Sequence, residues 1–279
     1  MSAALVIPFF ALSAPAAHVF HLSPFTFHIS LLPALAAFDF GVFLRPSPES
    51  ALNNLSYLVV GLGWSLLLAL ASWVVAFVIG SVVGVLRTLP GRILPLIGAC
   101  YVEFFRNIPL LVQLFIWFFV IPDMTPILGD WFKQQVPPIW QEFIAGTACL
   151  GLFTAARIAE QIRAGIGSLG AGQLGAGLAL GLKRRQVYLL VLLPVAYRIL
   201  IPTLTSEFLN LIKNTAVAST IGYVELAQRS ESMGETTSRV YEAFAAGTLL
   251  YALLNLLVMF LARALERFTA LPGFLGGRK

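Results

Sequence analysis

Residues 51–86 read ALNNLSYLVVGLGWSLLLALASWVVAFVIGSVVGVL and contain no charged side chain. A helix that spans a bilayer needs about 20 predominantly apolar residues, so this run is long enough for a tilted or protruding helix. It ends at the basic turn RTLPGR, residues 87–92, in which Pro90 and Gly91 break helices. The stretch therefore predicts a membrane-spanning helix over 55–86.

The composition of the whole chain favours the same environment. Hydrophobic residues make up 58% of the 279 residues and charged residues only 11%, whereas soluble domains carry about 25% charged residues. The net charge of +5 comes from Lys and Arg residues between apolar stretches, which indicates membrane topology rather than nucleic-acid binding. Both cysteines lie in apolar stretches, where we expect neither a disulfide nor a metal ligand.

Four further apolar stretches predict helices over 100–121, 139–164, 196–217 and 243–264, with a polar loop over 123–138. Together with the first helix they predict an all-α, polytopic membrane protein with about five spans, in one domain over 39–279.

Residues 1–38 contain four prolines and no Lys or Arg, a composition unfavourable for a membrane helix or a secretory signal. We expect a poorly ordered N-terminal extension. Its histidines, His18, His21 and His28, lack the cysteines and carboxylates that would complete a metal site, so no metal site is predicted.

The distribution of basic residues predicts the orientation. One set of flanks holds nine, namely Arg87, Arg92, Lys183, Arg184, Arg185, Arg263, Arg267, Arg278 and Lys279, and the other holds four, namely Arg45, Lys133, Arg229 and Arg239. The positive-inside rule places the first set in the cytoplasm, with the N-terminus outside and the C-terminus inside. The outward loops are expected to carry the acids Asp123, Asp130, Glu225, Glu231, Glu235 and Glu242.

The loop over 167–186 is the most distinctive segment. Leu174, Leu178 and Leu182 recur every fourth residue, as on one face of a helix. The glycines among them disfavour an isolated helix by about 1 kcal/mol each, and a basic cluster, Lys183–Arg185, follows. Two interpretations remain open on these grounds: a flexible basic loop at lipid headgroups, or a short helix that fits a groove on a cytoplasmic protein.

The same segment resembles the coupling loop of ABC importer permeases. The matching residues are Gly172, Gln173, Ala176, Ala179, Leu180, Gly181 and Leu182, followed by Arg184 in the basic cluster and by Leu193-Pro194. Gly175 stands where the family pattern has a glutamate, and Gly177 where it has an alanine. The resemblance extends over about residues 40–279, with stretches 101–115, 153–163 and 202–222 similar to polar amino-acid permeases, and within them to glutamate/aspartate importer permeases.

This resemblance implies the transmembrane domain of a type I ABC importer in a bacterial inner membrane. It implies a separate dimer of ATP-binding subunits that holds ATP and Mg, a periplasmic substrate-binding protein, and a second permease, either related or another copy. The chain itself has no Gly-x-x-x-x-Gly-Lys-Ser/Thr phosphate loop, so we expect no bound cofactor and no enzymatic activity of its own.

Polar side chains inside a membrane are costly and usually functional. Candidates for the substrate path are Arg157, Glu160, Lys213, Asn214, Thr215 and Ser219, with Glu207 and Asn210 nearby. Arg157 and Lys213 carry the charge that a substrate carboxylate needs. The alternative for Arg157 and Glu160 is an i,i+3 ion pair that neutralises itself, and Glu103 with Arg106 is interpreted as helix-end structure.

Acidic amino acids are the expected substrates, with glutamine or arginine as the alternative. An ion-driven secondary transporter is a further alternative, although such proteins usually have internal repeats and more spans. A membrane scaffold is the third.

Overall fold

The computed structural model describes residues 38–269, apart from the side chains of residues 126–128, 170, 171, 268 and 269. The extension expected over 1–38 therefore lies outside the described residues except for Phe38. The chain divides into two units, residues 1–41 and 42–279. The regular structure of the described residues is helical, with no β-strand among them.

Nine helices follow one another in the described part of the second unit. They are α1 (Asn54–Leu86), α2 (Ile93–Asn107), α3 (Leu110–Met124), α4 (Pro126–Gln135), α5 (Pro138–Ser168), α6 (Gly170–Ala179), α7 (Arg184–Ile221), α8 (Leu226–Thr237) and α9 (Val240–Thr269). Four of them, α1, α5, α7 and α9, are long and apolar enough to cross a membrane, and α2 with α3 raises the number to five if the pair counts as one span.

Small residues bring α1 and α5 into close contact. Ser72, Ala76, Gly80 and Gly84 recur every fourth residue along α1 and are all buried. A Cβ atom at Gly80 would lie 2.8 Å from the carbonyl oxygen of Ala155 on α5, so the two backbones nearly touch. Lipid tails are as apolar as leucine, so close van der Waals packing between small residues, rather than burial from water, holds such helices together.

The second predicted span is not one continuous helix. α2 begins at Ile93, earlier than the predicted start at residue 100, and the axes of α2 and α3 differ by 101°. Pro109 has no N–H and forces Ile108 before it into an extended conformation, with ψ of 131°. The buried Gln113 amide donates to the carbonyls of Phe105 and Ile108, both at 2.8 Å, so the break leaves these groups satisfied.

Two further boundaries differ from the sequence expectation. α4 occupies most of the stretch predicted as a loop over 123–138, with Pro126 at its first position, where the missing N–H costs nothing. α7 begins at Arg184, twelve residues before the predicted start at 196, and continues through Pro194. A widened π-helical turn over Tyr188–Leu192 precedes that proline, and such turns accommodate disrupted helical hydrogen bonds.

The bundle has two ends that differ in structure. At the α6 end, the Tyr188 hydroxyl donates to the Thr88 carbonyl at 2.8 Å and so ties the start of α7 to the end of α1. At the α8 end, the Tyr223 hydroxyl donates to the Trp64 carbonyl at 3.2 Å. A Cβ atom at Gly61 would lie 3.1 Å from the Cα of Leu226, so α8 packs directly on α1.

Candidate functional site

The segment predicted as a coupling loop forms a short helix with a sharp stop. α6 ends in two hydrogen bonds, from Gly181 N–H to the Leu178 carbonyl at 3.0 Å and from Leu182 N–H to the Gly177 carbonyl at 3.1 Å. This is the Schellman arrangement, which requires a left-handed residue just past the helix end. Gly181 has that conformation, with φ of 81°, which explains the glycine at this position.

One side of α6 packs on the start of α7. Leu174 and Leu182 contact the buried cluster that includes Val187 and Tyr188. A Cβ atom at Gly177 would lie 2.8 Å from a methyl group of Val187, so the glycine permits this close approach. Leu178 was expected on the same face, but it is 39% exposed; the packed face is completed by Gly177 instead.

The opposite side of α6 is uncovered. Gly172, Gly175, Ala176, Ala179 and Leu180 are all exposed. A Cβ atom at Gly172 or Gly175 would meet nothing within 4 Å, and Leu180 is 82% exposed. Of the remaining predicted coupling residues, Arg184 is exposed and Gln173 is half-buried. The described part of the chain therefore presents a surface of small residues with one large apolar side chain at its edge.

The alternative considered for Arg157 and Glu160, an i,i+3 ion pair, is not the pairing that the structure has. Arg157 binds Glu207 on α7 through two hydrogen bonds, Nε to Oε2 at 2.6 Å and Nη2 to Oε1 at 3.1 Å. The Gln161 amide donates to the same carboxylate at 2.9 Å. The i,i+3 spacing places Arg157 and Glu160 on neighbouring parts of one helix, but α7 offers a bidentate partner that a local pair does not.

Glu160 is surrounded by arginines instead. Arg87 at the end of α1 binds its carboxylate, Arg163 donates to it at 3.1 Å, and Arg106 of α2 lies 4.0 Å away. These contacts join α1, α2 and α5 near the α6 end. The interpretation of Arg106 as helix-end structure missed this role, because its partner lies 54 residues away and no local spacing reveals it.

These side chains line a polar cavity of about 420 Å³, formed by Arg106, Arg157, Glu160, Gln161, Ala164 and Glu207. It contains two of the six predicted path residues, Arg157 and Glu160. Arg106 and Gln161 were not predicted; the signal for Gln161 was its position one turn after Arg157.

The other four predicted path residues lie elsewhere on α7. Lys213 is exposed and Asn214 is half-buried, whereas Thr215 is fully buried and donates to the Ile212 carbonyl at 2.7 Å. Ser219 donates to the Ala216 carbonyl at 2.8 Å. Lys213 comes six residues after Glu207, about 9 Å along the helix. Thr215 has no exposed surface in this conformation, and contact of any of the four with a substrate stays a prediction.

A second polar cluster lies at the α8 end. Glu225, expected in an outward acid-rich loop, is fully buried and caps α8 by accepting from the Gln228 N–H at 2.9 Å. Ser65 of α1 donates to it at 2.9 Å, and Tyr251 of α9 also binds it. The carboxylate thus joins three helices, and Glu242, another expected loop acid, is buried as well.

Within the described residues, no group of three His, Cys, Asp or Glu side chains is arranged to hold a metal ion. The histidines considered from the sequence lie outside those residues.

Comparison with known proteins identifies the family. A model described as "Binding-protein-dependent transport system inner membrane component" matches residues 76–270. The chain is 44% identical over 241 residues to the "Glutamate/aspartate import permease protein GltJ" of Escherichia coli (strain K12), a match that covers 86% of this chain and 98% of the relative. It is 33% identical over 204 residues to the "Probable glutamine ABC transporter permease protein GlnM" of Bacillus subtilis (strain 168), covering 73% of this chain and 89% of the relative.

The fold is shared with a solved structure described as "Crystal structure of an amino acid ABC transporter with histidines". The TM-score is 0.65 at 26% sequence identity, and the match covers 76% of this chain and 94% of that chain. The predicted all-α fold of a type I ABC importer is thereby confirmed. The chain belongs to the binding-protein-dependent transport system inner membrane components, the permease subunits of ABC importers.

Proposed function

We propose that this permease forms the membrane path of an ATP-driven importer for the acidic amino acids glutamate and aspartate. The observation that carries the proposal is the 44% identity to a glutamate/aspartate import permease along 98% of that protein's length. The polar cavity between α2, α5 and α7 supports it. Its lining includes Arg106 and Arg157. With Arg87 and Arg163, which bind Glu160 from outside that lining, four arginines contact only two carboxylates, so the cluster that holds the cavity is net positive, which favours an acidic substrate.

The exposed face of α6 is the proposed contact with a separate ATPase dimer. Its small residues, Gly172, Gly175, Ala176 and Ala179, allow close approach of a partner's surface, and Leu180 supplies an apolar anchor. ATP and Mg are bound by those partner subunits. A second permease, related or identical, completes the path, and Lys213, Asn214 and Ser219 are candidates to line it in another conformation.

The proposed orientation places the α6 end in the cytoplasm of a bacterium and the N-terminus outside, since the basic flanks Arg87, Arg92 and Lys183–Arg185 lie at that end. A periplasmic substrate-binding protein then delivers the amino acid to the α8 end.

The test is uptake by the whole complex in proteoliposomes with ATP inside and binding protein outside. Labelled glutamate, aspartate, glutamine and arginine are compared at equal concentrations. We expect ATP-dependent uptake of glutamate and aspartate. Preferential uptake of glutamine or arginine would refute the assigned substrates, and uptake driven by an ion gradient without the ATPase would refute the importer mechanism.

The α6 contact has a matched pair of variants. Gly181→Arg adds a large side chain beside the exposed face and is expected to abolish uptake while the protein remains in the membrane. Gly91→Arg is the control, because Gly91 also has a positive φ, 100°, and nothing within 4 Å of an added Cβ. Equal loss of uptake in both variants would indicate backbone strain rather than a blocked ATPase contact.

A further inference from the structure

A long apolar groove lies between α1, α7 and α9, on the other side of α7 from the polar cavity. Its volume is about 680 Å³, and its walls include Trp73 and Phe77 of α1, Phe208 of α7, and Leu257 and Leu261 of α9. The groove is independent of the residues that carry the proposed function. In a membrane such a groove is filled by an acyl chain of a lipid or by an apolar helix. A charged residue at its edge would select among these occupants.

Among the residues that the structure describes, Arg198 is the single charged one that lines this groove. It is exposed, and within residues 38–269 its guanidinium has no hydrogen bond or ion pair. Glu207, the nearest acid along α7, is nine residues on, half a helical turn out of phase, and is already occupied by Arg157. An arginine that lines an apolar groove without a protein partner extends its guanidinium to the membrane interface, where anionic headgroups lie.

The height of Arg198 in the bundle suits a lipid headgroup. Ile212 of α7 packs with Leu254 of α9, and Arg198 comes fourteen residues before Ile212, about 21 Å along the helix. The charge-free part of α9 ends at Arg263. Starting from Leu254 and moving toward Leu265, which lines the same groove, a distance of about 21 Å along α9 extends past Arg263. Arg198 therefore lies at the level where the apolar part of the bundle meets the polar boundary.

We propose that this groove binds a phospholipid with a net negative headgroup. The acyl chain lies along Leu257 and Leu261, and the Arg198 guanidinium donates to the phosphate oxygens. Arginine suits this role because its planar fork binds phosphate through two parallel hydrogen bonds, and basic pockets between membrane helices are known to hold anionic headgroups.

The experiment measures lipid binding to the purified full-length chain by native mass spectrometry in neutral detergent. The probes are phosphatidylglycerol and phosphatidylcholine with identical acyl chains, and inorganic phosphate as competitor. Both lipids carry a phosphate, but the choline ammonium of phosphatidylcholine neutralises its charge. We therefore expect the protein to prefer phosphatidylglycerol by about tenfold, and inorganic phosphate not to displace it. Arg198→Gln should abolish the preference. Arg263→Gln is the control, because Arg263 is exposed at the same end and contacts Met259 rather than the groove; it should change the preference less than twofold.

Leu257→Trp fills the groove and leaves Arg198 in place, so it tests the acyl-chain site if Arg198→Gln cannot be purified. It should reduce the affinity for both lipids. Equal affinity of the wild-type protein for both lipids, or an unchanged preference in Arg198→Gln, would overturn the proposal. Displacement by inorganic phosphate would assign Arg198 to a free-anion site instead. Light scattering of the wild-type chain and of Arg198→Gln compares their oligomeric masses. A dimer that becomes a monomer in Arg198→Gln, with lipid binding intact, would assign the groove to a second permease and overturn the proposal.

Discussion

Replacing Gly80 by alanine tests whether close packing of α1 on α5 holds the bundle together. The added Cβ would lie 2.8 Å from the Ala155 carbonyl oxygen and 2.8 Å from the Cβ of Ile158. Carbon atoms in favourable contact are about 3.5–4.0 Å apart, so the helices would have to separate by about 0.7 Å. One of the two neighbours is backbone and the other is the stiff base of a β-branched side chain, so neither yields by rotation alone.

The expected cost follows from two opposing terms. Overpacking a tight interface by one methyl group destabilises by about 1–3 kcal/mol. Alanine has a helix propensity about 1 kcal/mol better than glycine, which offsets part of that. Gly80→Ala should therefore lower the free energy of unfolding by up to about 2 kcal/mol relative to the wild type, and by about 1–3 kcal/mol relative to a Gly→Ala change without overpacking. Gly63→Ala on the same helix is the control, since nothing lies within 4 Å of its added Cβ, and it should be neutral or stabilising.

The assay is unfolding of the purified permease in mixed micelles of a mild detergent and sodium dodecyl sulfate. A free energy of unfolding for Gly80→Ala within about 0.5 kcal/mol of that for Gly63→Ala would refute the reasoning, because that is the usual scatter of surface substitutions. Gly84→Ala should behave like Gly80→Ala, since its Cβ would lie 2.9 Å from the Ala159 carbonyl. The double variant should cost less than the sum, because one separation of the helices relieves both contacts.

Three shorter predictions concern the polar contacts and the α6 turn. A double-mutant cycle with Arg157→Met and Glu207→Gln should give a coupling free energy of unfolding of about 1–2 kcal/mol. This is less than for a fully buried pair, because Arg157 is 42% exposed. Additive effects of the two substitutions would contradict the pairing. The hydroxyl of Ser232, and after it that of Tyr57, lowers the pKa of Glu49 from its ordinary value of about 4.3. The ionised carboxylate of Glu49 therefore stabilises the fold above pH about 4.3, and this stabilisation is lost as the pH falls through the lowered pKa. Glu49→Gln should flatten the pH dependence of the melting temperature below about pH 4.3. An unchanged pH dependence would contradict the role of Glu49. Gly181→Ala should cost about 1–2 kcal/mol in the stability of the α6 turn, seen as faster amide exchange at the end of α6, and unchanged exchange would argue against strain there.

Several features of the fold were predictable because they depend on local sequence. The charge-free run over 51–86 is α1 almost residue for residue, since no charged side chain interrupts its insertion. The sharp stop of α6 also follows from its sequence, because only glycine adopts φ of 81° at Gly181 without penalty. The dipeptide Ile108-Pro109 could have predicted the bend between α2 and α3. It was missed because the stretch was judged by its average hydropathy, which does not register the missing N–H of one proline.

The polar site was less predictable, because its partners are far apart in sequence. Spacing alone paired Arg157 with Glu160, whereas the preferred carboxylate belongs to Glu207, 50 residues away. The sequence placed Glu225 in an outward loop and gave no partner for it, whereas its carboxylate accepts hydrogen bonds at the junction of three helices. A sequence shows which residues are polar in a membrane, but the choice of partner depends on helix packing, and here the small residues of α1 determine that packing.

The same long-range contacts explain how a force on α6 can reach the membrane. α6 packs through Gly177 on Val187 of α7, Tyr188 in the next position binds the Thr88 carbonyl beyond α1, and Arg87 beside Thr88 binds Glu160 of α5. Each contact is a tight packing or a hydrogen bond between different helices, so a displacement of α6 is passed to α7, α1 and α5 together. The polar cavity opens between α5 and α7 within this connected group. A partner that grips only the exposed face of α6 therefore acts on the ends of the helices that form the cavity, without contacting the cavity itself.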